Sequence, residues 1–454
     1  MDRSATTGRS GDRRWLAVLV AVALVAVACG AAPSSSPTAT PSPSVGPSPS
    51  AAGSPTPSAS SSGAASPSPS AADVQALTDT IAGQVAGLRV LDLRSRVTAK
   101  VLDEAGLVDF VTAAFAAENP PEYVAATQAL YQHLGLLPAG SSLQDLYVSL
   151  LGSQVLGLYD DESKQLYVVS RGDGIGPLER FTMSHELTHA ITDQHFDLST
   201  LEPKGVRDQS DRAMAHLAVA EGDATDVMFQ WAGRYLTGQE LGAVLAAGAD
   251  PGQLAILEGM PPILTLTLQF PYIQGLELVE EAQRSGGWPA VDALYGAPPA
   301  STEQLLHPEK YAAHEAPIPV AMPADLATTL GAGWSVPLED TFGEYQLSIW
   351  LSSPAKAISA SAATAAAGWG GDRLALVAGP QDAWAVVLRT TWDSSTDARE
   401  FLTAATATTG RLGSPRQVVP DPTDPNGVWV VLGGDQATMC QVAAAVGLAG
   451  CTGA

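Results

Sequence analysis

The chain has 454 residues, of which 47 are acidic and 23 basic, for a formal net charge of −24. That balance repels phosphate backbones and anionic headgroups, which excludes nucleic acid and charge-driven docking onto a bilayer. Its three cysteines form no C-x-x-C pair, which excludes a thiolate metal site, so any bound cation must rely on His and Glu.

The amino-terminal residues read as an export signal. Arg13 and Arg14 precede an apolar run from Trp15 to Ala28, too short to span a bilayer as a settled helix. Val27-Ala28-Cys29-Gly30 places small residues before a lone cysteine, as at a lipoprotein cleavage site. Residues 1–28 are therefore expected to be removed and Cys29 to carry a lipid that anchors the protein to the membrane at the cell surface, with plain secretion as the alternative. Residues 29–72 are almost entirely Ser, Pro, Ala, Thr and Gly. They have nothing to bury, so they predict an unfolded tether. The remainder, about 380 residues, suffices for two domains: one over 73–331 and a smaller one over 332–454.

Helical periodicity recurs near Val74–Leu91, Glu104–Glu118, Pro121–Leu134 and Leu143–Leu151, predicting a helical layer. Gln154–Tyr159 and Gln165–Ser170 alternate around Asp160-Asp161-Glu162-Ser163 and predict a β-hairpin. Its open edge could receive an extended peptide. Pro177 suits a first helical turn, and Leu178, Phe181, Thr182, His185, His189 and Thr192 follow at helical spacing. His185 and His189 then leave one inward face about 6 Å apart, as two ligands of one zinc ion require. Glu186 sits on the flank of that face, within reach of a metal-bound water.

Two residues compete for the third ligand position. His195 lies ten residues after His185, the metzincin spacing, but Thr192 stands where that pattern needs a glycine to turn the chain. Glu221 lies mid-stripe in a helix over Asp211–Trp231, among Met214, Leu217, Ala218, Ala224, Thr225 and Met228. A lone carboxylate there would cost several kcal/mol, which implies a cation. Gly222 beside it weakens the helix by about 1 kcal/mol, which makes sense where backbone must approach something closely. His216 faces the opposite side and reads as a solvated residue. Further on, Phe270-Pro271-Tyr272 precedes a helix to Gln283, and Ser301 or Thr302 caps a short helix that Pro308 stops. Tyr272, His307 and Tyr311 are the candidates for a donor to a developing oxyanion.

From about Gly331 the pattern changes. Helical signals at Tyr345–Leu351 and Ala355–Ala367 precede strands at Leu374–Val377 and Ala383–Leu388. A helix at Thr396–Ala407, a strand at Val428–Leu432 and a helix at Gln436–Val446 follow. Cys440 and Cys451 are expected to be bonded, which for so short a loop would stabilise by roughly 2–3 kcal/mol. The expected class is α+β: a mostly helical first domain with a small hairpin or sheet, then a smaller α+β domain serving as a lid, exosite, docking module or stabiliser.

The motifs HELTHAITDQHFDL, AEGDAT, FPYIQG, GGWPAVDALY and PPASTEQLLHPEKY together resemble a group of secreted bacterial metallopeptidases, and His185-Glu186-x-x-His189 with Glu221 resembles the gluzincin class. The resemblance covers about Gln154 to Tyr311. It implies a zincin-like domain with Zn2+ held by His185, His189 and Glu221, and Glu186 as catalytic base. One departure is Thr225, which stands where the thermolysin-type E-x-x-x-D has its Asp. Asp193 and Asp226 are the contenders to orient a ligating histidine instead. The expected protein is a monomeric zinc peptidase acting on peptides or proteins. The alternative is a non-catalytic zinc-binding lipoprotein serving as an interaction or sensor module.

Overall fold

The computed structural model describes residues 70–170, 174–202 and 208–451. The export segment, Cys29 and nearly all of the tether lie outside those residues. Among the described residues no helix is long and apolar enough to cross a membrane. The chain is α+β, helical in its first part and β-rich in its last.

Helix α1 (Ala71–Arg89) starts at a capping box, in which Ser70 and Asp73 satisfy each other's backbone amides. A short strand β1 (Thr98–Leu102) follows, then α2 (Glu104–Glu118), α3 (Pro121–His133) and α4 (Leu143–Gln154). The hairpin is β2 (Gly157–Asp160) and β3 (Gln165–Val169), slightly shorter than the alternation predicts. β1, which the sequence reading misses, pairs in parallel with β3, giving the order β1-β3-β2. Its side chains are mostly exposed, so it carries no apolar alternation to betray it.

The HExxH motif lies on α5 (Pro177–Phe196), which Pro177 opens. Helix α6 (Ser210–Tyr235) crosses it and carries Glu221. Two small helices, α7 (Gly238–Gly248) and α8 (Pro251–Gly259), lead to α9 (Pro262–Gly286). Helix α9 runs straight through Phe270-Pro271-Tyr272, where the sequence suggests a break. Packing of α9 along α6 outweighs the missing Pro271 amide: Gly222 and Gly275 meet backbone to backbone there. Val74, Ile81, Ala82 and Val85 of α1 pack on Met183, Leu187, Ala190 and Ile191 of α5, so the first helix buries the motif helix from behind.

Helices α10 (Trp288–Gly296), α11 (Thr302–Leu306), α12 (Pro308–Ala312) and α13 (Leu326–Leu330) lead to the last part. There β4 (Ser335–Asp340), β5 (Trp369–Ala378), β6 (Trp384–Trp392), β7 (Arg416–Pro420) and β8 (Gly427–Gly433) form an antiparallel sheet ordered β4-β5-β6-β8-β7. The two strands not foreseen, β4 and β7, are its edges, where half-exposed residues blur the pattern. Leu374, Leu376, Val386, Leu388, Val430 and Leu432 face α14 (Gly343–Ser352), α15 (Ala360–Ala366) and α16 (Ser395–Leu412). Ala375, Val377, Val387, Trp429 and Val431 face α17 (Gln436–Ala445). Both faces are covered, which is why β8 reads as an unbroken apolar run. A disulfide joins Cys440, within α17, to Cys451 beyond its end.

The sheet's first face is not private to this part. Leu130, Leu134, Leu150, Ile263 and Leu264 of the helical part share one core with Leu338, Phe342, Trp350 and Trp369. Polar contacts add to the join. Asp340 of β4 accepts hydrogen bonds from the Ser210 amide (2.8 Å) and hydroxyl (2.5 Å), at the first residue of α6. Gly343, at φ +70°, lies so close to Asp211 that a Cβ would sit 1.8 Å from its Oδ1. A chain ending at Gly331 is therefore expected to expose that core and lose cooperative unfolding of the helical part. Amide exchange on residues 70–331 checks this; a monomeric, fully protected fragment would refute it.

Candidate metal centre

His185, His189 and Glu221 are brought together by the crossing of α5 and α6. His185 Nε2 lies 3.0 Å from His189 Nε2 and 3.2 Å from Glu221 Oε2, and His189 Nε2 lies 3.5 Å from the same oxygen. Zinc ligands at about 2.0–2.1 Å in a tetrahedron stand about 3.3 Å from one another. The three separations bracket that edge, so the donor set fits one zinc ion. The chemistry of the donors fits as well, since two imidazoles and a carboxylate are common zinc ligands. Nδ1 of His185 is buried with no hydrogen-bond partner among the described residues.

All three side chains are buried, and no other cation reaches them among the described ion pairs. Burial alone would raise the Glu221 carboxyl, but the imidazoles, His189 foremost, reverse this and bring it down to about 2. Burial pulls His185 down to about 4, while His189 is raised because Glu221 outweighs its own burial. Glu221 thus favours its ionised form beside an imidazole, His189, whose affinity for a proton is raised.

Glu186 is fully buried beside this cluster. Its Oε2 accepts the Tyr159 amide of β2 at 2.8 Å, and its Oε1 has no partner among the described residues. Burial pushes the carboxyl up to about 8. The Tyr159 amide can serve Glu186 because it points away from β3: Leu156 O takes the Val169 amide, and the alternation turns Gly157 and Tyr159 outward. A Cβ at Gly157 would stand tightly against Tyr167 O at 3.2 Å and the Thr182 methyl at 3.3 Å, and in ordinary contact with Glu186 at 3.5 Å.

The other sequence candidates fall into place differently. Tyr272 is beside the site, its ring stacked on His185 with centroids 6.0 Å apart. Tyr311 donates instead to Ala297 O at 2.8 Å, and His307 pairs with Glu344 of α14 at 3.0 Å. Neither Asp193 nor Asp226 bonds a ligating histidine among the described residues, which corrects the sequence expectation. Asp193 is taken by the Tyr159 hydroxyl (2.8 Å), Lys164 Nζ (2.5 Å) and the Leu198 amide (3.1 Å). Asp226 accepts from Gln230 and Gln283.

His195 donates no ligand atom to the cluster; its Nε2 meets Asp92 O at 2.7 Å. His216, expected in solvent, is buried and bonded to Leu201 O at 2.8 Å, because the chain after α5 folds back over that face. Both line a cleft of 650 Å³ with Phe196, Arg212 and Tyr295, away from the three ligands. Sequence reasoning also misses Arg89, Asp223 and Tyr295, a buried set joined across α1, α6 and α10. A second acidic group, Glu303, Glu315 and Asp393, offers no vacancy for a metal, because Lys310 Nζ reaches all three at 2.6, 2.8 and 2.5 Å. If the cluster holds a metal, Glu221→Ala is expected to lose it while His195→Ala keeps a full equivalent, as measured by metal analysis of the purified variants. The reverse pattern would assign the third ligand to His195.

A family model described as Domain of unknown function (DUF8575) matches residues 332–448. The match therefore covers the β-rich part and none of the residues at the metal centre. No curated protein and no solved structure matches the chain.

Proposed function

We propose that the chain is a zinc-dependent peptidase, exported and held at the cell surface through a lipid on Cys29, with residues 29–72 as the tether. The observation that carries the reading is the joint geometry of His185, His189 and Glu221, with Glu186 alongside on the same helix. A bound zinc would lower the pKa of a coordinated water toward about 7 and polarise a substrate carbonyl.

The protein's own groups would do the rest. Glu186 takes the proton from the attacking water on the oxygen left free, then passes it to the leaving amine. A dication beside this carboxyl would favour its ionised form, the form that accepts a proton. The Tyr159 amide fixes the other oxygen, which limits rotation of the carboxylate. Of the three candidate donors Tyr272 is the one beside the cluster, its ring stacked on His185, whereas His307 and Tyr311 bond to Glu344 and Ala297.

One observation favours a second reading. His185, Glu186 and Glu221 are at most 1% exposed, as a structural zinc joint in a non-catalytic lipoprotein would be. Against it stand the absence of a fourth protein ligand in the cluster among the described residues and the position of Glu186 beside it. The deciding experiment is metal analysis joined to cleavage of a mixed peptide pool. One zinc per chain, with cleavage abolished by a chelator and restored by zinc, supports the peptidase. A tightly held zinc with no cleavage of any peptide supports the joint.

A further inference from the structure

Glu221, Gly222 and Asp223 dock one turn of α6 against different neighbours. Glu221 reaches the imidazoles of α5 at 3.2 and 3.5 Å. Gly222 sets its backbone against Gly275 of α9. Asp223, fully buried, accepts Arg89 Nε of α1 at 2.8 and 3.0 Å and the Tyr295 hydroxyl of α10 at 2.8 Å. Successive helical residues diverge by about 100°, so these contacts grip α6 from three sides.

The grip is itself anchored. Arg89 is fully buried, its Nη2 reaches Asp292 at 2.6 Å, and its guanidinium stacks 4.4 Å from the Trp288 ring centroid. Phe196, the last residue of α5, stacks on the Tyr295 ring with centroids 4.3 Å apart. Tyr295 therefore touches both helices that carry metal ligands.

We propose that Asp223, clamped by Arg89 and Tyr295, is a positioning residue for the metal centre: it sets the rotation of α6 at which Glu221 meets His185 and His189. The proposal rests on the metal-centre reading above. A side-chain tip stands about 5–6 Å from its helix axis, so a 20° roll of α6 moves the Glu221 carboxylate by about 2 Å. That shift is as long as a zinc–oxygen bond. The Gly222 contact limits approach but has no side chain to resist a roll. The charged hydrogen bonds on Asp223 have direction and do resist it. A buried ion pair adds little net stability over well-packed apolar groups, so its presence in this core calls for a geometric role.

The test is the double variant Arg89→Met/Asp223→Leu, which removes both charges together, beside the milder Tyr295→Phe. Thermal melts without metal report folding, and competition with a chromophoric chelator reports zinc affinity. The double variant is expected to melt cooperatively and to bind zinc at least tenfold more weakly, with a smaller loss for Tyr295→Phe. Parent-like affinity in a folded double variant overturns the proposal. Crystal structures supply a readout that needs no metal: the Glu221 Oε2 to His185 Nε2 separation, 3.2 Å here, should lengthen by about 1 Å or more. An unchanged separation overturns the proposal whether or not the parent binds zinc, whereas a parent that binds none sinks the metal-centre and peptidase readings and, where the separation lengthens, leaves Asp223 positioning only the His185–His189–Glu221 cluster. If the double variant does not fold, Tyr295→Phe carries the test, and unchanged affinity with unchanged separation counts against the clamp.

Discussion

On the proposed zinc-peptidase reading, Glu186→Gln is expected to keep the metal and lose peptide cleavage by about 10²- to 10⁴-fold, the usual contribution of a general acid–base residue. Metal should stay because Glu186 is not among the three clustered ligand atoms. The fold should stay because a glutamine carbonyl can still accept the Tyr159 amide that Glu186 holds at 2.8 Å. Metal content and initial cleavage rates on the same preparation check both halves. A variant retaining a tenth of the parent rate would remove Glu186 from the mechanism.

The same substitution has a pH signature in the metal-free protein. Burial lifts the Glu186 carboxyl from 4.5 to about 8. Above pH 4.5 the unfolded chain ionises this group while the folded chain holds its proton, so the parent loses stability as pH rises toward 8. The glutamine variant has no such loss. It should be more stable than the metal-free parent at pH 8, by ~2–4 kcal/mol, and the gap should close near pH 4. Urea denaturation at the two pH values measures it; a gap that does not depend on pH would mean that Glu186 is ionised in the fold.

What the sequence shows of this site, it shows through local periodicity. Pro177 and the stripe from Phe181 to Thr192 mark α5, and Glu221 stands out because a carboxylate interrupts an apolar stripe on α6. Gly222 signals a close approach, although nothing local names Gly275 as the partner. Features that depend on distant contacts leave no such trace. Arg89 and Asp223 are 134 residues apart, and Tyr295 lies a further 72 beyond Asp223, so each reads alone as a surface charge or a core aromatic. The Tyr159 amide that holds Glu186 is backbone and has no letter in the sequence. Asp193 misleads for the opposite reason. It sits one turn beyond His189 on α5, yet the β2–β3 hairpin claims it through Tyr159 and Lys164.

Gly222→Ala is expected to be the most damaging glycine-to-alanine change in α5 and α6. An added Cβ would lie 2.1 Å from the Gly275 carbonyl carbon and oxygen and 2.8 Å from its Cα. No side chain can rotate aside, because the atoms in the way are backbone. The helices α6 and α9 must part, which places the cost at or above the top of the 1–3 kcal/mol range for overpacking. Helix propensity returns about 1 kcal/mol, so a net loss of ~2–3 kcal/mol remains. Glu221 is the adjacent residue, so zinc affinity should fall at least tenfold in the same variant.

Gly233→Ala supplies the control on the same helix. Nothing lies within 4 Å of a Cβ there, so that variant should gain roughly 0.5–1 kcal/mol and bind zinc as the parent does. Denaturation of the three proteins with a chelator present, then zinc titration of each, separates propensity from packing. Equal stability of the Gly222 and Gly233 variants would mean that α6 and α9 do not meet backbone to backbone at Gly222 and Gly275.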